Sequence, residues 1–97
     1  MSRSLIERRL VEANRRLRRA REELAVVDEQ LRALVDTAED SRIRALVSET
    51  PLADREHHEA QRHADAMARS RAAVVSSIEQ LERAQDELLE RLVTDSG

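Results

Sequence analysis

Residues 45–54 read Ala45-Leu46-Val47-Ser48-Glu49-Thr50-Pro51-Leu52-Ala53-Asp54 and contain the only proline of the chain. Thr50 has the hydroxyl of an N-cap, and Pro51 suits the first helical position, where a missing N–H is not needed. A helix is therefore expected to begin at about 51, and the one before it to stop at about 47. No comparable stop signal stands elsewhere in the 97 residues, whose single glycine is the last one. Charged residues make up 38% and hydrophobic residues 40%, with no aromatic side chain. That is the Ala/Glu/Arg/Leu-rich composition of long helices, and it excludes sandwiches, barrels and doubly wound sheets, which need many turns.

Working outward from this bend, alternating steps of four and three pick out Ile6, Leu10, Ala13, Leu17, Ala20, Leu24, Val27, Leu31, Leu34, Ala38, Ser41 and Ala45. The same spacing on the other side picks out Ala53, His57, Ala60, Ala64, Met67, Arg71, Val74, Ile78, Leu81, Gln85, Leu88 and Leu92. Each set is a sustained heptad seam. Folding the chain about residue 49 brings the two seams together, with Leu10 opposite Leu88, Leu17 opposite Leu81, Ala20 opposite Ile78, Leu24 opposite Val74, Leu31 opposite Met67 and Leu34 opposite Ala64. The expected fold is all-α: one domain over residues 1–97, a long antiparallel coiled-coil hairpin. Its helices span about 3–47 and about 51–93, with the bend at 48–50.

Within the first helix, Asp36-Thr37-Ala38-Glu39-Asp40-Ser41 gathers polar capping residues while Ile43, Leu46 and Val47 drift off the seam. A break there would leave residues 41–48 as a short separate helix; the lack of Gly or Pro favours continuity. In the hairpin register Arg42 falls near Asp54 and Arg44 near Glu56, so ion pairs are expected there. Arg71 and Gln85 interrupt the seam, and the stem of Arg71 is expected to pack while its guanidinium reaches water.

The chemistry is sparse. Without cysteine there is no disulfide framework, thiolate zinc site or Cys nucleophile, and no long charge-free apolar run provides a membrane span or signal peptide. The chain reads as soluble and cytoplasmic. Its seventeen basic residues are all Arg, a bias that together with the alanine content suggests a high-GC bacterial genome. Arg3, Arg8, Arg9, Arg15, Arg16, Arg18, Arg19 and Arg21 crowd the start of the chain. Glu79, Glu82, Asp86, Glu87 and Glu90 run alongside them in the hairpin, so mutual compensation is expected. A net charge of −3 and the lack of stacking aromatics argue against nucleic acid as the main ligand.

Glu56-His57-His58-Glu59 and His63 hold metal-ligand chemistry, but His57 belongs to the seam beside Ser41, and His58 and His63 do not share a face. No metal or cofactor is expected. The serines lack a glycine-built elbow, and a hairpin encloses no pocket, so the chain does not read as an enzyme.

Apolar residues off the seam remain. Val11, Val26, Val35, Val75 and Leu89 are candidates for a second contact surface, through which two hairpins would form a four-helix homodimer. Around the bend, Ile43, Leu46, Val47 and Leu52 mix with Glu49, Asp54 and Glu56 in a knob suited to recognising a protein.

Leu52-Ala53-Asp54 followed by Glu56-His57-His58-Glu59-Ala60 resembles the tip of the coiled-coil hairpin in Gre-type transcript cleavage factors, which has an acidic turn and then a Glu-Tyr-His-Ala-Ala-like helix start. In this chain Pro51 stands where that family has its first tip acid, and Asp54 takes the place of the second. The resemblance implies insertion of the tip into the secondary channel of bacterial RNA polymerase, with tip carboxylates helping to hold a catalytic Mg²⁺. The residues themselves point to a non-enzymatic interaction or scaffold module; the resemblance adds the alternative of a transcription regulator.

Overall fold

The computed structural model describes residues 1–96 and contains two α-helices, α1 (Arg3–Ser48) and α2 (Pro51–Ser96), joined by Glu49 and Thr50. No strand occurs among the described residues. The fold is an all-α helical hairpin. Relative to the spans expected from sequence, α1 runs one residue further and α2 runs on from 93 to Ser96.

Local chemistry accounts for the helix ends. At the start of α1 the Leu5 N–H donates to Ser2 Oγ at 3.2 Å and the Ile6 N–H to the Ser2 carbonyl at 3.0 Å, so Ser2 is an N-cap. At its end Glu49 takes φ 53° and its N–H donates to the Ala45 carbonyl at 3.0 Å. This is the left-handed C-terminal turn normally filled by glycine, here held by a glutamate against its steric preference. Thr50 then opens α2: its Oγ1 accepts from the Ala53 N–H at 3.2 Å and its carbonyl from the Asp54 N–H at 3.1 Å. Asp54 places its carboxylate in the first turn of α2, where the helix dipole favours a negative charge.

The residues group into two compact units, one made of Met1–Leu24 with the described residues from Val74 on, the other of Ala25–Ala73. In the first unit Ile6 and Leu17 are 0% and 1% exposed, and Ala13, Val74 and Ile78 are also buried. Leu10, Ala20, Leu24, Leu81, Gln85, Leu88 and Leu92 are half-buried. Every seam position of this unit is thus withdrawn from water. Arg21 and Glu82 approach to 3.6 Å across the two helices. Hydrophobic burial supplies the cohesion, at about 1.5–3 kcal/mol for a fully buried large aliphatic side chain.

The second unit has a thinner core. Its buried positions are Val27, Ala38, Ser41 and Ala64, all small or medium in size, with Leu31, Leu34 and Met67 only half-buried. Ser41, 3% exposed, donates its Oγ–H to the Ala38 carbonyl at 2.7 Å, and His57 Nδ1 lies 3.4 Å from Ser41 Oγ. With the serine proton engaged, the ring nitrogen is the donor of that long contact. This pairing of Ser41 with His57 sets the two seams of the unit in the register expected from the sequence.

The polar cluster at 36–41 does not break α1. Thr37 Oγ1 donates to the Ala33 carbonyl at 3.0 Å and Ser41 to Ala38, so both hydroxyls are satisfied by the preceding turn of their own helix. Ala38, Ser41 and Ala45 meanwhile keep the seam going. The ion pairs expected at the bend are absent among the described residues. Instead of reaching Asp54, Arg42 turns back along α1 and grips Glu39 with two hydrogen bonds of 3.1 and 2.6 Å, and Arg44 forms no pair with Glu56. A partner three residues away on the same helix restricts less side-chain freedom than one across the bend. Arg71 is exposed, but its guanidinium is not left to water: its Nε donates to Asp28 of the facing helix.

Candidate functional site

The bend region of the second unit gathers the largest exposed apolar side chains. Val47 is 80% exposed, Leu46 64%, Leu52 59% and Ile43 48%. The cause lies in the seam: Ala45 and Ala53 take the inward positions, so the larger neighbours on either side of each must point outward. Interleaved with them, Glu49, Asp54 and Glu56 are exposed and make no ion pair among the described residues. The nearest charge-assisted contact is Arg42 with Glu39. The double hydrogen bond and then the positive charge of Arg42 hold the Glu39 carboxyl below the usual carboxylate range, and the same pairing raises Arg42.

The histidines of this unit are engaged locally. His58 Nδ1 donates to the Asp54 carbonyl at 2.7 Å, which fixes the proton on that nitrogen because a carbonyl only accepts. The His57 and His58 rings lie 5.7 Å apart, inclined at 55°. Among the described residues no three His, Asp or Glu side chains converge as a metal site requires.

In the first unit the arginines and carboxylates do not neutralise each other as the sequence suggested. Arg3 pairs with Glu7 and Arg15 with Glu12 along α1; among the described residues of this unit only Arg21 with Glu82 crosses between the helices. Arg8, Arg9, Arg16, Arg18 and Arg19 are exposed and make no ion pair among the described residues, and the same holds for Glu79, Asp86, Glu87 and Glu90 on α2. Heptad geometry explains this, because only positions flanking the seam can reach the facing helix. Arg21 and Glu82 are such e positions, whereas Arg8 and Arg15 at f, and Arg18, Glu79 and Asp86 at b, project away; Arg9 and Arg16 do flank the seam at g, but the g residues of α2 here are Ser77, Ala84 and Arg91, none of them an anion.

Since Arg21 and Glu82 touch, the e positions of both helices open onto the same side of this unit. Val75 and Leu89 are e residues of α2, Val11 is a b residue of α1 and Val93 a b residue of α2. The exposed valines and leucine of the unit therefore share one face, and the half-buried Val75 lies on the same face further along α2. Of the five residues proposed from sequence as a second contact surface, Val11, Val75 and Leu89 fall on this face. Val26 and Val35, both exposed, belong to the other unit. Asp28, the partner of Arg71, went unnoticed in the sequence; its position one residue after the seam valine Val27 was the available signal.

No helix among the described residues is long and apolar enough to cross a membrane. Comparison with protein-family models, with curated proteins and with solved structures finds no match for this chain.

Proposed function

We propose that this chain is a cytoplasmic, non-enzymatic interaction module that engages a protein partner through the bend of its hairpin. The observation that supports this reading is the exposed cluster of Ile43, Leu46, Val47 and Leu52, four large aliphatic side chains within ten residues, none needed by the seam. Leaving such a patch in water has a cost that partner binding removes, at about 25 cal/mol per Å² of apolar surface covered. Glu49, Asp54 and Glu56 around it suit a partner with an apolar pocket rimmed by basic residues, and like-charged surfaces are repelled. The four residues lie in the helix ends that flank a two-residue connection closed by helix caps on both sides, which gives them little backbone freedom.

The test is affinity capture from extracts of the source cell at low and high salt, with wild type beside Leu46→Asp/Val47→Asp. A protein retained by wild type and lost by the variant at unchanged helicity supports the reading; an identical set from both removes the tip from consideration. A second reading, a transcription regulator that inserts its tip into the RNA polymerase secondary channel, is favoured by the three exposed tip carboxylates without ion-pair partners. Enrichment of RNA polymerase that disappears with Asp54→Ala/Glu56→Ala selects it.

A further inference from the structure

The face of the first unit that carries Val11 and Leu89 has a layered order. Leu10 and Leu88 lie opposite each other in the register, and the residues directly after them, Val11 and Leu89, form an apolar layer. The next layer, behind Ala13 and Gln85, holds Asn14 and Asp86; the two after it are charged on both helices, Arg18 following Leu17 and Glu82 following Leu81, then Arg21 following Ala20 and Glu79 following Ile78. In these two layers α1 contributes the cation and α2 the anion; Glu7, the one α1 acid nearer the N-terminus on this face, is paired with Arg3 of its own helix. Of these four charges only Arg21 and Glu82 meet among the described residues, at 3.6 Å with both side chains about half exposed, which leaves Arg18 and Glu79 exposed and without an ion pair there.

A face with cations along one helix and anions at the same heights along the other is complementary to itself. Rotating a second copy by half a turn about an axis parallel to the helices sets α1 of each copy against α2 of the other, antiparallel as in an up-down-up-down bundle. That operation brings Arg18 to the height of the second copy's Glu79 and Glu82, and Val11 to that of its Leu89. The opposite face lacks this order: Arg16 and Arg19 of α1 lie across from Ser77, Gln80 and Ala84, while Glu12 and Glu23 put anions on α1 and Arg91 puts a cation on α2.

We infer that the first unit is a homodimerisation surface, with a second copy of this chain seated on the Val11/Arg18/Glu79/Leu89 face. The surface is separate from the bend, so it operates whether or not the tip binds a partner. Apolar contact at the Val11 and Leu89 layer provides attraction, while the charges select the antiparallel register and oppose the parallel one, in which like charges would meet.

The experiment is sedimentation equilibrium of the full-length chain. Wild type is expected at twice its 11.1 kDa mass. Arg18→Glu and Glu79→Arg are each expected to raise the dimer dissociation constant by about tenfold or more, because each sets like charges together twice across the two-fold axis. The double variant Arg18→Glu/Glu79→Arg restores opposite charges at both contacts and is expected to recover the dimer, as is a mixture of the two single variants. Arg8→Glu, off this face, should leave association unchanged, and far-UV circular dichroism verifies that each variant is helical. A wild type that stays monomeric at millimolar concentration, a dimer indifferent to both reversals, or a double variant as weak as the singles overturns the proposal.

Discussion

Replacing Leu17 by alanine tests whether the seam carries the stability of the hairpin. Leu17 is 1% exposed and belongs to a unit whose core includes Ile6, Ala13, Val74 and Ile78. Removing three carbons at about 0.8 kcal/mol each gives roughly 2.4 kcal/mol of lost transfer free energy. The residual cavity adds to this, although two helices flanked by water can partly close on it, so the expected loss is about 3 kcal/mol, in the lower part of the range for buried leucines. Leu46→Ala is the matched comparison: the side chain is 64% exposed, so about a third of the transfer term and no cavity remain, under about 1 kcal/mol. Urea unfolding followed by circular dichroism, at one fixed protein concentration so that any contribution from self-association is referred to the same conditions, measures both. Equal losses for Leu17→Ala and Leu46→Ala would refute the assignment of inside and outside on α1.

At the bend, Glu49→Gly relieves the left-handed strain at φ 53° and is expected to stabilise the hairpin by about 0.5–1 kcal/mol, whereas Thr50→Ala removes the N-cap and should cost about 1 kcal/mol. Thermal melts of the two variants should therefore shift in opposite directions. A double-mutant cycle on Asp28→Ala and Arg71→Ala should give a coupling energy below about 1 kcal/mol that fades with added salt, because both side chains are more than a third exposed. A coupling unchanged at high salt would contradict a solvent-screened pair. The carboxyl of Glu39, hydrogen-bonded to Arg42, should titrate below the usual glutamate range by NMR and return to it in Arg42→Ala. Because the folded value is the lowered one, the stabilisation from this pair is present above the ordinary carboxylate range and is lost as pH falls through the lowered value.

Much of the architecture was legible because heptad spacing is a direct statement about which residues leave water. The twelve seam positions read on α1, from Ile6 to Ala45, are all buried or half-buried, and on α2 only Arg71 of its twelve is exposed. The bend was legible for an equally local reason: a threonine before the only proline specifies a helix start whatever surrounds it. The faint break signal at 36–41 misleads in the sequence because hydroxyl side chains have two outlets, a cap or the carbonyl of the preceding turn. Only the folded helix shows that Thr37 and Ser41 take the second.

Sequence by itself determined the helices, the two-seam hairpin and its register, since burial periodicity and caps act over a few residues. Tertiary structure alone decided which charges meet. Compensation between the arginines of α1 and the acids of α2 looks complete on paper, yet among the described residues a single ion pair, Arg21 with Glu82, crosses the first unit, because an ion pair needs both side chains beside the seam. The same geometry places Val11, Val75 and Leu89 on one face and leaves Val26 and Val35 to the other unit. Hydrophobic periodicity is written one helix at a time, whereas the complementarity of a surface depends on two helices held at a fixed height and rotation, which only the folded hairpin supplies.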